Sequence, residues 1–240
     1  MSIILWFFNQ FFGYLLTRRH NMITIYYLFG PIWASFIITW TQRTIFHPTD
    51  VTRRSHCDWC YHPLTWWQLL PLLGYLFQRG RCRYCQTPID PYSTIGELLT
   101  GYLWFLLHAQ LAMAQLIFLT TSALILATTD YYGQWIDLRW LIGLLFIPPW
   151  PYPKFELIIG SIGLTILLIT IKKRHWLGSG DLWLFGILLW CRGLLQTAVI
   201  LLIACSLILL HPKIWQHQPV PFVPSLLIGC LIELSYWNGF

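Results

Sequence analysis

Four cysteines in this chain have the spacing of metal ligands. They form two Cys-x-x-Cys pairs with 21 residues between them, Cys57 with Cys60 and Cys82 with Cys85. Each pair places two thiolates on one tight turn, and two such pairs complete the all-sulfur tetrahedral site that suits Zn²⁺. Because four protein ligands leave no open coordination position, the pattern predicts a structural zinc and not a catalytic one.

The alternatives for these cysteines are two disulfides or a redox dithiol. The chain has seven cysteines, and the other three, Cys191, Cys205 and Cys230, lie in apolar stretches. An odd count divided in this way argues against a disulfide framework. A thioredoxin-like motif needs only one pair on a βαβ background. Redox chemistry therefore stays as the alternative to zinc.

Two of the nine acidic residues stand at the ends of apolar runs. Asp130 follows an uncharged run that begins at Gln115, and Asp181 precedes the apolar run 182–190. An ionisable group at the end of a membrane span is costly and is a candidate for function. Two carboxylates in one site do not both ionise easily, which is the arrangement that aspartyl proteolysis uses. Asp130 and Asp181 are therefore candidate catalytic residues.

Glycines precede the second aspartate, in the run Gly178-Ser179-Gly180-Asp181. Gly178 and Gly180 allow the backbone to lie close to an extended substrate, and they permit a positive φ just before Asp181. The alternative is a loop with an aspartate near a helix N-terminus, where its charge suits the helix dipole. For a single aspartate the helix-end interpretation is the stronger one, and only the pair favours catalysis.

The composition excludes a soluble fold. Hydrophobic residues make up 57% of the chain and charged residues 10%, against about 25% charged residues in a soluble domain. Lipid must therefore solvate most of this apolar surface. The net charge is +6, and the basic clusters lie between apolar runs, where they mark cytoplasmic loops. We expect the lipid bilayer, and no nucleic acid, as a partner.

The apolar runs predict an all-α polytopic membrane protein with about eight transmembrane helices. We expect spans at about 23–40, two short passes within 95–129, and further spans at about 138–150, 155–171, 182–191, 194–210 and 219–237. The proline-rich run 148–153 is typical of a turn. Several of these runs are shorter than the 20 or so residues that a bilayer requires.

The same pattern divides the chain into four regions. Residues 1–22 are an N-terminal extension, with Met1 and Met22 as alternative starts, and 23–41 are the first span. Residues 42–94 form a small polar insert with the four cysteines, predicted to be zinc-ribbon-like, and 95–240 form the helical core. The arginine-rich insert and the basic cluster 172–174 are expected to face the cytosol together.

These motifs together resemble one family, the type 4 prepilin leader peptidases. The run Gly178-Ser179-Gly180-Asp181 is similar to the GxGD motif that this family shares with presenilin-like proteases. The other matching runs follow in the order of the family: Ala34-Ser35-Phe36, Arg54 to Cys60, Pro71 to Leu76, Arg79 to Cys85, Gly96 to Gly101 and Pro221 to Pro224. Ala34 and Val223 stand where the family has glycine, and Ile136 stands where it usually has proline.

The resemblance implies a membrane aspartic endopeptidase in the cell membrane, with its active site facing the cytosol. Its expected substrates are type IV prepilins or pseudopilins, cleaved after a glycine that ends a short basic leader. Asp130 and Asp181 match the catalytic pair, with Asp137, Gly178 and Gly180 in support. Many members also methylate the new N-terminus with S-adenosylmethionine, and the cysteine-bearing loop and Glu97 are the region connected with that activity. The alternatives are a membrane thiol oxidoreductase and a zinc-ribbon scaffold or transporter.

Overall fold

Helices account for all the regular secondary structure in the part of the chain that the structure describes. The computed structural model describes residues 22–46, 54–146, 179–210 and 220–238. The helices, in chain order, are α1 (Met22–Phe46), a first 3₁₀ helix (Trp66–Leu69), α2 (Leu73–Phe77), α3 (Tyr92–Leu107), α4 (Met113–Gly133), a second 3₁₀ helix (Leu138–Phe146), α5 (Ser179–Leu209) and α6 (Val223–Asn238). The described residues contain no strand, only two isolated β-bridges in the cysteine-bearing loop.

Two of these helices are long and apolar enough to cross a membrane. They are Met113–Gly133, with 21 residues, which rises about 31 Å at 1.5 Å per residue, and Trp183–Leu209, with 27 residues and a break at Gly193. The all-α class is confirmed for the described residues, whereas the count of eight spans stays a prediction. The predicted span 155–171, the basic cluster 172–174 and residues 1–21 of the extension lie outside the described residues.

The structure changes one predicted span and retains the boundary between two others. Residues 138–146 form a 3₁₀ helix that rises only about 18 Å, so the pass predicted at 138–150 is not an α-helix where the structure describes it. The predicted spans 182–191 and 194–210 correspond to two helical segments of α5 that meet at a kink. The kink is at Gly193, where φ is 79° and ψ is 177° and the helical conformation breaks, as the predicted boundary requires.

The chain forms two compact units. The first comprises Met1–Ser35 with Ser55–Ala109, and the second comprises Phe36–Arg54 with Gln110–Phe240. In the first unit α1 and α3 approach closely because glycines face each other across the contact. A Cβ atom added at Gly30 would lie 3.1 Å from Trp104 and 3.2 Å from the Cα of Gly101. The first unit also contains the cysteine-bearing loop.

The second unit buries the aliphatic faces of its helices against one another. The α5 and α6 helices pack against each other, and α4 packs on α6 and on the second 3₁₀ helix. A Cβ atom at Gly229 would lie 2.8 Å from the carbonyl oxygen of Ile200, so this glycine sets the close approach of α6 to α5. The fully buried aliphatic side chains among its described residues include Leu116, Leu126, Leu184, Leu188, Ile200 and Leu226.

Candidate active site and metal centre

The four predicted cysteine ligands converge in the first unit. Their sulfur atoms all lie within 4.8 Å of one another. The Sγ atoms of Cys57 and Cys85 are 3.8 Å apart, and those of Cys60 and Cys82 are 4.0 Å apart. Four ligands at a Zn–S distance of about 2.3 Å are separated by about 3.8 Å in a tetrahedron. All four thiols are free of disulfides, so the cluster can hold a metal ion.

The two Cys-x-x-Cys pairs are built on one repeated backbone turn. The N–H of Cys57 bonds the carbonyl of His62, and the N–H of Cys82 bonds the carbonyl of Thr87 in the same way. Each turn is closed by an isolated bridge, at His56 with Pro63 and at Arg81 with Pro88. Tyr61 and Gln86, at equivalent places in the two turns, both have positive φ, 55° and 60°. The loop is therefore a two-fold repeat that carries two thiols per turn.

The second turn supplies hydrogen-bond donors to one of its own sulfurs. The side chain and backbone of Thr87 lower the pKa of Cys85 to about 6, and the Thr87 Oγ1 atom lies 3.2 Å from the sulfur. Burial acts in the opposite direction at Cys57 and raises its pKa to about 11. A bound cation favours the thiolate form of every ligand, and the donor set and separations fit a tetrahedral thiolate-bound metal.

Asp130 lies in the last turn of α4, with its carboxylate at the start of α6. One carboxylate oxygen accepts the backbone N–H of Val223 at 2.8 Å, and the backbone of Phe222 also donates to this carboxylate. These N–H groups belong to the orphan donors that every helix N-terminus presents. The Pro221-Phe222-Val223-Pro224 run therefore has a local structural role, which is to bind the Asp130 side chain.

Asp181 lies in the first turn of α5 and shares this neighbourhood. Its negative charge acts electrostatically on Asp130. The N-terminal part of α5 and the residue that precedes α6 are further joined by an edge-to-face contact between Phe185 and Phe222, with ring centroids 5.6 Å apart. The structure thus places the two predicted aspartates at helix ends near the start of α6, Asp130 at the C-terminal end of α4 and Asp181 at the N-terminal end of α5, with the charge of Asp181 acting on Asp130.

Gly180 acts through close packing and not through an unusual backbone angle. A Cβ atom at this position would lie 2.7 Å from the Cβ of Ile136, so a larger residue would displace the loop that precedes the second 3₁₀ helix. Among the described glycines only Gly80 and Gly193 have positive φ. Gly180 therefore does not adopt the positive φ that a glycine permits, and Gly178 lies outside the described residues.

The Asp137 carboxylate is paired with the Arg139 guanidinium and not with another carboxylate. Its two oxygens accept hydrogen bonds from the Arg139 guanidinium at 2.7 to 3.2 Å. This arginine lowers the pKa of Asp137. Both side chains line a cavity of about 720 Å³ in the second unit, whose other walls include Trp40, Thr129 and Trp135. The position suits a supporting carboxylate beside an aromatic cleft.

Glu97 is buried in the first unit, where it connects three segments. Its Oε2 atom accepts the backbone N–H of Leu72 at 2.7 Å, and Ser93 and Ser35 donate to the same carboxylate. Leu72 has a φ of 60° and a ψ of −50°, a conformation that costs free energy in a β-carbon-bearing residue. Glu97 therefore holds the loop before α2 against α3.

The structure contains a buried ion pair that the sequence analysis did not predict. Arg192 in α5 and Glu233 in α6 are 4% and 2% exposed, and the guanidinium nitrogen lies 2.6 Å from the carboxylate. Arg192 lies 11 positions after Asp181, and Glu233 lies 10 positions after Val223. The pair therefore fixes the axial register of α5 against α6, with Asp181 level with the donors to Asp130. Charged residues inside two apolar runs were the signal that could have revealed it.

Comparisons with known proteins identify the family of this chain. Residues 28–111 match the model of the bacterial Peptidase A24 N-terminal domain. A prepilin leader peptidase/N-methyltransferase of Aeromonas hydrophila is 30% identical over 235 residues, covering 82% of this chain and 80% of the relative. The chain belongs to the prepilin leader peptidase family. Family membership confirms the resemblance inferred from the motifs.

Further relatives have the same name. The protein of that name from Bacillus subtilis (strain 168) is 26% identical over 237 residues, covering 91% of this chain and 96% of the relative. One from Klebsiella pneumoniae is 32% identical over 145 residues, covering 53% and 63%. No solved structure matches the chain.

Proposed function

We propose that this chain is a membrane aspartic endopeptidase that removes the leader from type IV prepilins or pseudopilins. The observation that carries the proposal is that Asp130, bound at the start of α6, lies within the electrostatic influence of Asp181, in a member of the prepilin leader peptidase family. Relatives that cover most of the chain are named prepilin leader peptidase/N-methyltransferase. Cleavage takes place after a glycine at the cytosolic face of the cell membrane.

The two carboxyl groups act as a pair that shares one proton. The ionised member takes a proton from water, whose oxygen attacks the scissile carbonyl carbon, while the protonated member donates a hydrogen bond to the carbonyl oxygen. Collapse of the tetrahedral intermediate breaks the C–N bond, and a proton passes to the leaving amine. The backbone donors of Phe222 and Val223 position Asp130 for this exchange, and the contact of Gly180 with Ile136 positions the turn that carries Asp181.

The supporting residues act on the surroundings of the pair. Asp137 orders the loop before the second 3₁₀ helix through Arg139, and Gly178 completes the GxGD motif. About eight spans, with the cysteine-bearing loop and the basic cluster 172–174 on the cytosolic side, complete the proposed topology.

The four cysteines hold a structural zinc ion. Four thiolates at tetrahedral separations support this assignment, and a metal with four protein ligands keeps no position for substrate. The zinc therefore stabilises the loop and takes no part in peptide cleavage. A thiol oxidoreductase would lose its activity on alkylation and would be indifferent to Asp181→Asn.

The second proposed activity is methylation of the new N-terminus, with S-adenosylmethionine as the methyl donor. It is supported by the names of the relatives, which include N-methyltransferase. We assign Glu97 a positioning role in this region, because its carboxylate already accepts hydrogen bonds from Leu72, Ser93 and Ser35.

Cleavage of a purified prepilin tests the proposal directly. Full-length protein in detergent is incubated with a prepilin that carries a glycine-terminated leader, and the product is identified by mass. Asp130→Asn and Asp181→Asn are each expected to lower kcat/KM by about 10³-fold or more, with normal expression and membrane insertion. Cleavage at a normal rate by either variant would overturn the aspartyl mechanism. The active protein should show a bell-shaped pH profile that belongs to the pair.

A further inference from the structure

An unusual apolar strip lies in the cysteine-bearing loop. Large hydrophobic side chains that are 38 to 75% exposed follow one another through the first 3₁₀ helix and α2: Trp66, Leu69, Leu70, Leu73, Leu76 and Phe77. The strip lies outside both candidate membrane spans. Exposed apolar side chains concentrated in one short segment indicate an interaction site.

A cationic cavity adjoins the strip. It has a volume of about 400 Å³ and is lined by Arg79, Arg81 and Arg83 together with Trp67 and Phe77. The Arg83 guanidinium lies 5.6 Å from the centre of the Trp67 ring, which holds it in place by a cation–π interaction. Among the described residues that line the cavity none is acidic. Because Phe77 belongs to both surfaces, the apolar strip and the cationic cavity are continuous.

We propose that segment 66–86 docks on the bilayer surface, with anionic phospholipid as its partner. The apolar strip enters the boundary between head groups and acyl chains, and the three guanidinium groups bind head-group phosphates. Apolar side chains beside a basic cluster are the usual composition of a segment that lies in the membrane interface. The planar arginine fork matches phosphate geometry. The inference rests on the membrane location that is part of the proposed function.

A hydrogen bond and a short connection hold segment 66–86 close to α3, and this position favours lipid over a distant partner. The backbone N–H of Leu72, inside the strip, bonds the carboxylate of Glu97 in α3 at 2.7 Å. Tyr92, the first residue of α3, follows Gln86 by only six positions. The strip is thus held beside the beginning of a helix that belongs to the proposed membrane core.

Charge favours lipid over the substrate as the occupant. The leaders implied by the family resemblance are basic, and three guanidinium groups would repel them. Anionic head groups are attracted by the same groups. Docking would also fix the metal centre at the membrane surface, because Arg81 and Arg83 are the immediate neighbours of Cys82.

Photocrosslinking in nanodiscs tests this inference. Full-length protein with benzoylphenylalanine incorporated at position 77 is placed in discs of phosphatidylcholine, or of phosphatidylcholine with phosphatidylglycerol, and irradiated without substrate. Mass spectrometry of the peptide that contains position 77 identifies the adducts. We expect phospholipid adducts that increase about threefold or more with phosphatidylglycerol. The same probe at Trp59, which is 75% exposed on the first cysteine turn, gives the background.

Charge variants in the same discs separate the cavity from general attraction. Arg79→Gln should lower the adduct yield toward the level in neutral discs, whereas Arg54→Gln, which removes an arginine outside the cavity, should leave it unchanged. Arg79 is not adjacent to a cysteine ligand, and the zinc content of each variant is measured to show that the loop is folded. A variant without zinc is replaced by Leu76→Ser, which tests the apolar strip instead.

Three outcomes would overturn the inference: no lipid adduct at position 77, equal yields in neutral and anionic discs, or adducts only with an added prepilin, which would identify a protein-docking surface. The cleavage-deficient Asp181→Asn protein must give the same lipid adducts as the parent. The result is therefore independent of whether the proposed peptidase activity is correct.

Discussion

The cysteine-bearing loop and the carboxylate site are assembled in opposite ways. The loop places its four sulfurs by repeating one short turn, and the hydrogen bonds that close each turn join residues four or five positions apart. The carboxylate site depends on a hydrogen bond between residues 93 positions apart and on an ion pair that spans 41 positions. One is fixed by local backbone geometry and the other by the packing of three helices, so damage to either should leave the other intact.

The largest expected effect separates the two regions by metal content. Cys57→Ser removes one of four thiolates, and because structural zinc binding is worth about 10 kcal/mol or more of folding free energy, the loop should unfold. Metal analysis should find about one zinc per chain in the parent and in Asp181→Asn, and much less in Cys57→Ser. Cys205→Ser is the matched control, since Cys205 is exposed outside the cluster.

The metal analysis also tests the proposal that zinc is structural and that the carboxylate pair is catalytic. Chelators should inactivate the protein slowly, through unfolding of the loop. If the metal were catalytic, its removal by the chelator would stop cleavage at once. Active parent protein without zinc would contradict the structural role. Loss of zinc from Asp181→Asn would show that the two regions are not independent.

The second effect concerns the helices of the carboxylate site. Arg192→Met or Glu233→Gln alone removes one member of a buried ion pair, and the partner left behind should lower the free energy of unfolding by about 3 to 5 kcal/mol. The double variant Arg192→Met/Glu233→Leu should recover most of that loss, because no unpaired charge remains. Thermal unfolding in detergent measures all three proteins.

The control is Arg139→Gln, since the Arg139 side chain is 87% exposed. Single variants at Arg192 and Glu233 that are as stable as this control would contradict the account. If the pair also sets the register of α5 against α6, the double variant should fold but have a lower kcat with little change in KM.

The sequence predicted the loop more completely than the carboxylate site, and the reason is physical. Two Cys-x-x-Cys pairs specify a metal site through geometry within a few residues. Asp130 and Asp181 were predicted as a pair because apolar runs end at each of them. Their backbone donors, from Phe222 and Val223, required knowledge of which helix begins beside them, and periodicity does not contain that information.

Local backbone events also escaped prediction. The 3₁₀ conformation of residues 138–146 has the same apolar composition as an α-helical span, and composition alone does not distinguish them. The close contact of Gly180 with Ile136 is a tertiary constraint, although a positive φ is the commoner reason for a glycine in a motif. The break at Gly193, by contrast, coincides with the gap between the predicted spans 182–191 and 194–210, because arginine and glycine interrupt the apolar run there.

The third effect is smaller and lies in the first unit. Glu97→Gln replaces a charged acceptor of the Leu72 N–H by a neutral one, and about 1 to 3 kcal/mol of stability should be lost locally. Hydrogen exchange of residues 66–77 should increase while zinc content is unchanged. Ser93→Ala is the control, because its hydroxyl lies 3.4 Å from the same carboxylate and contributes less. Equal exchange in both variants would show that Glu97 does not hold the strip.

The smallest effect is expected at Asp137. The direction of its pKa shift determines how its contribution to stability changes with pH. Arg139 lowers the pKa of this carboxyl in the folded protein, so the interaction stabilises the fold fully above the ordinary aspartate pKa of about 3.9. The stabilisation is lost as the pH falls through the lowered value. The unfolding curves of the parent and of Asp137→Asn should therefore differ at neutral pH and converge in acid. Because Arg139 is 87% exposed, the difference should be small and should decrease with added salt.

Cleavage by Asp137→Asn should stay within about tenfold of the parent, and Arg139→Gln should have the same effect. A loss as large as that of Asp181→Asn would instead assign Asp137 to the chemistry of cleavage, and would remove the distinction between the reacting pair and its support.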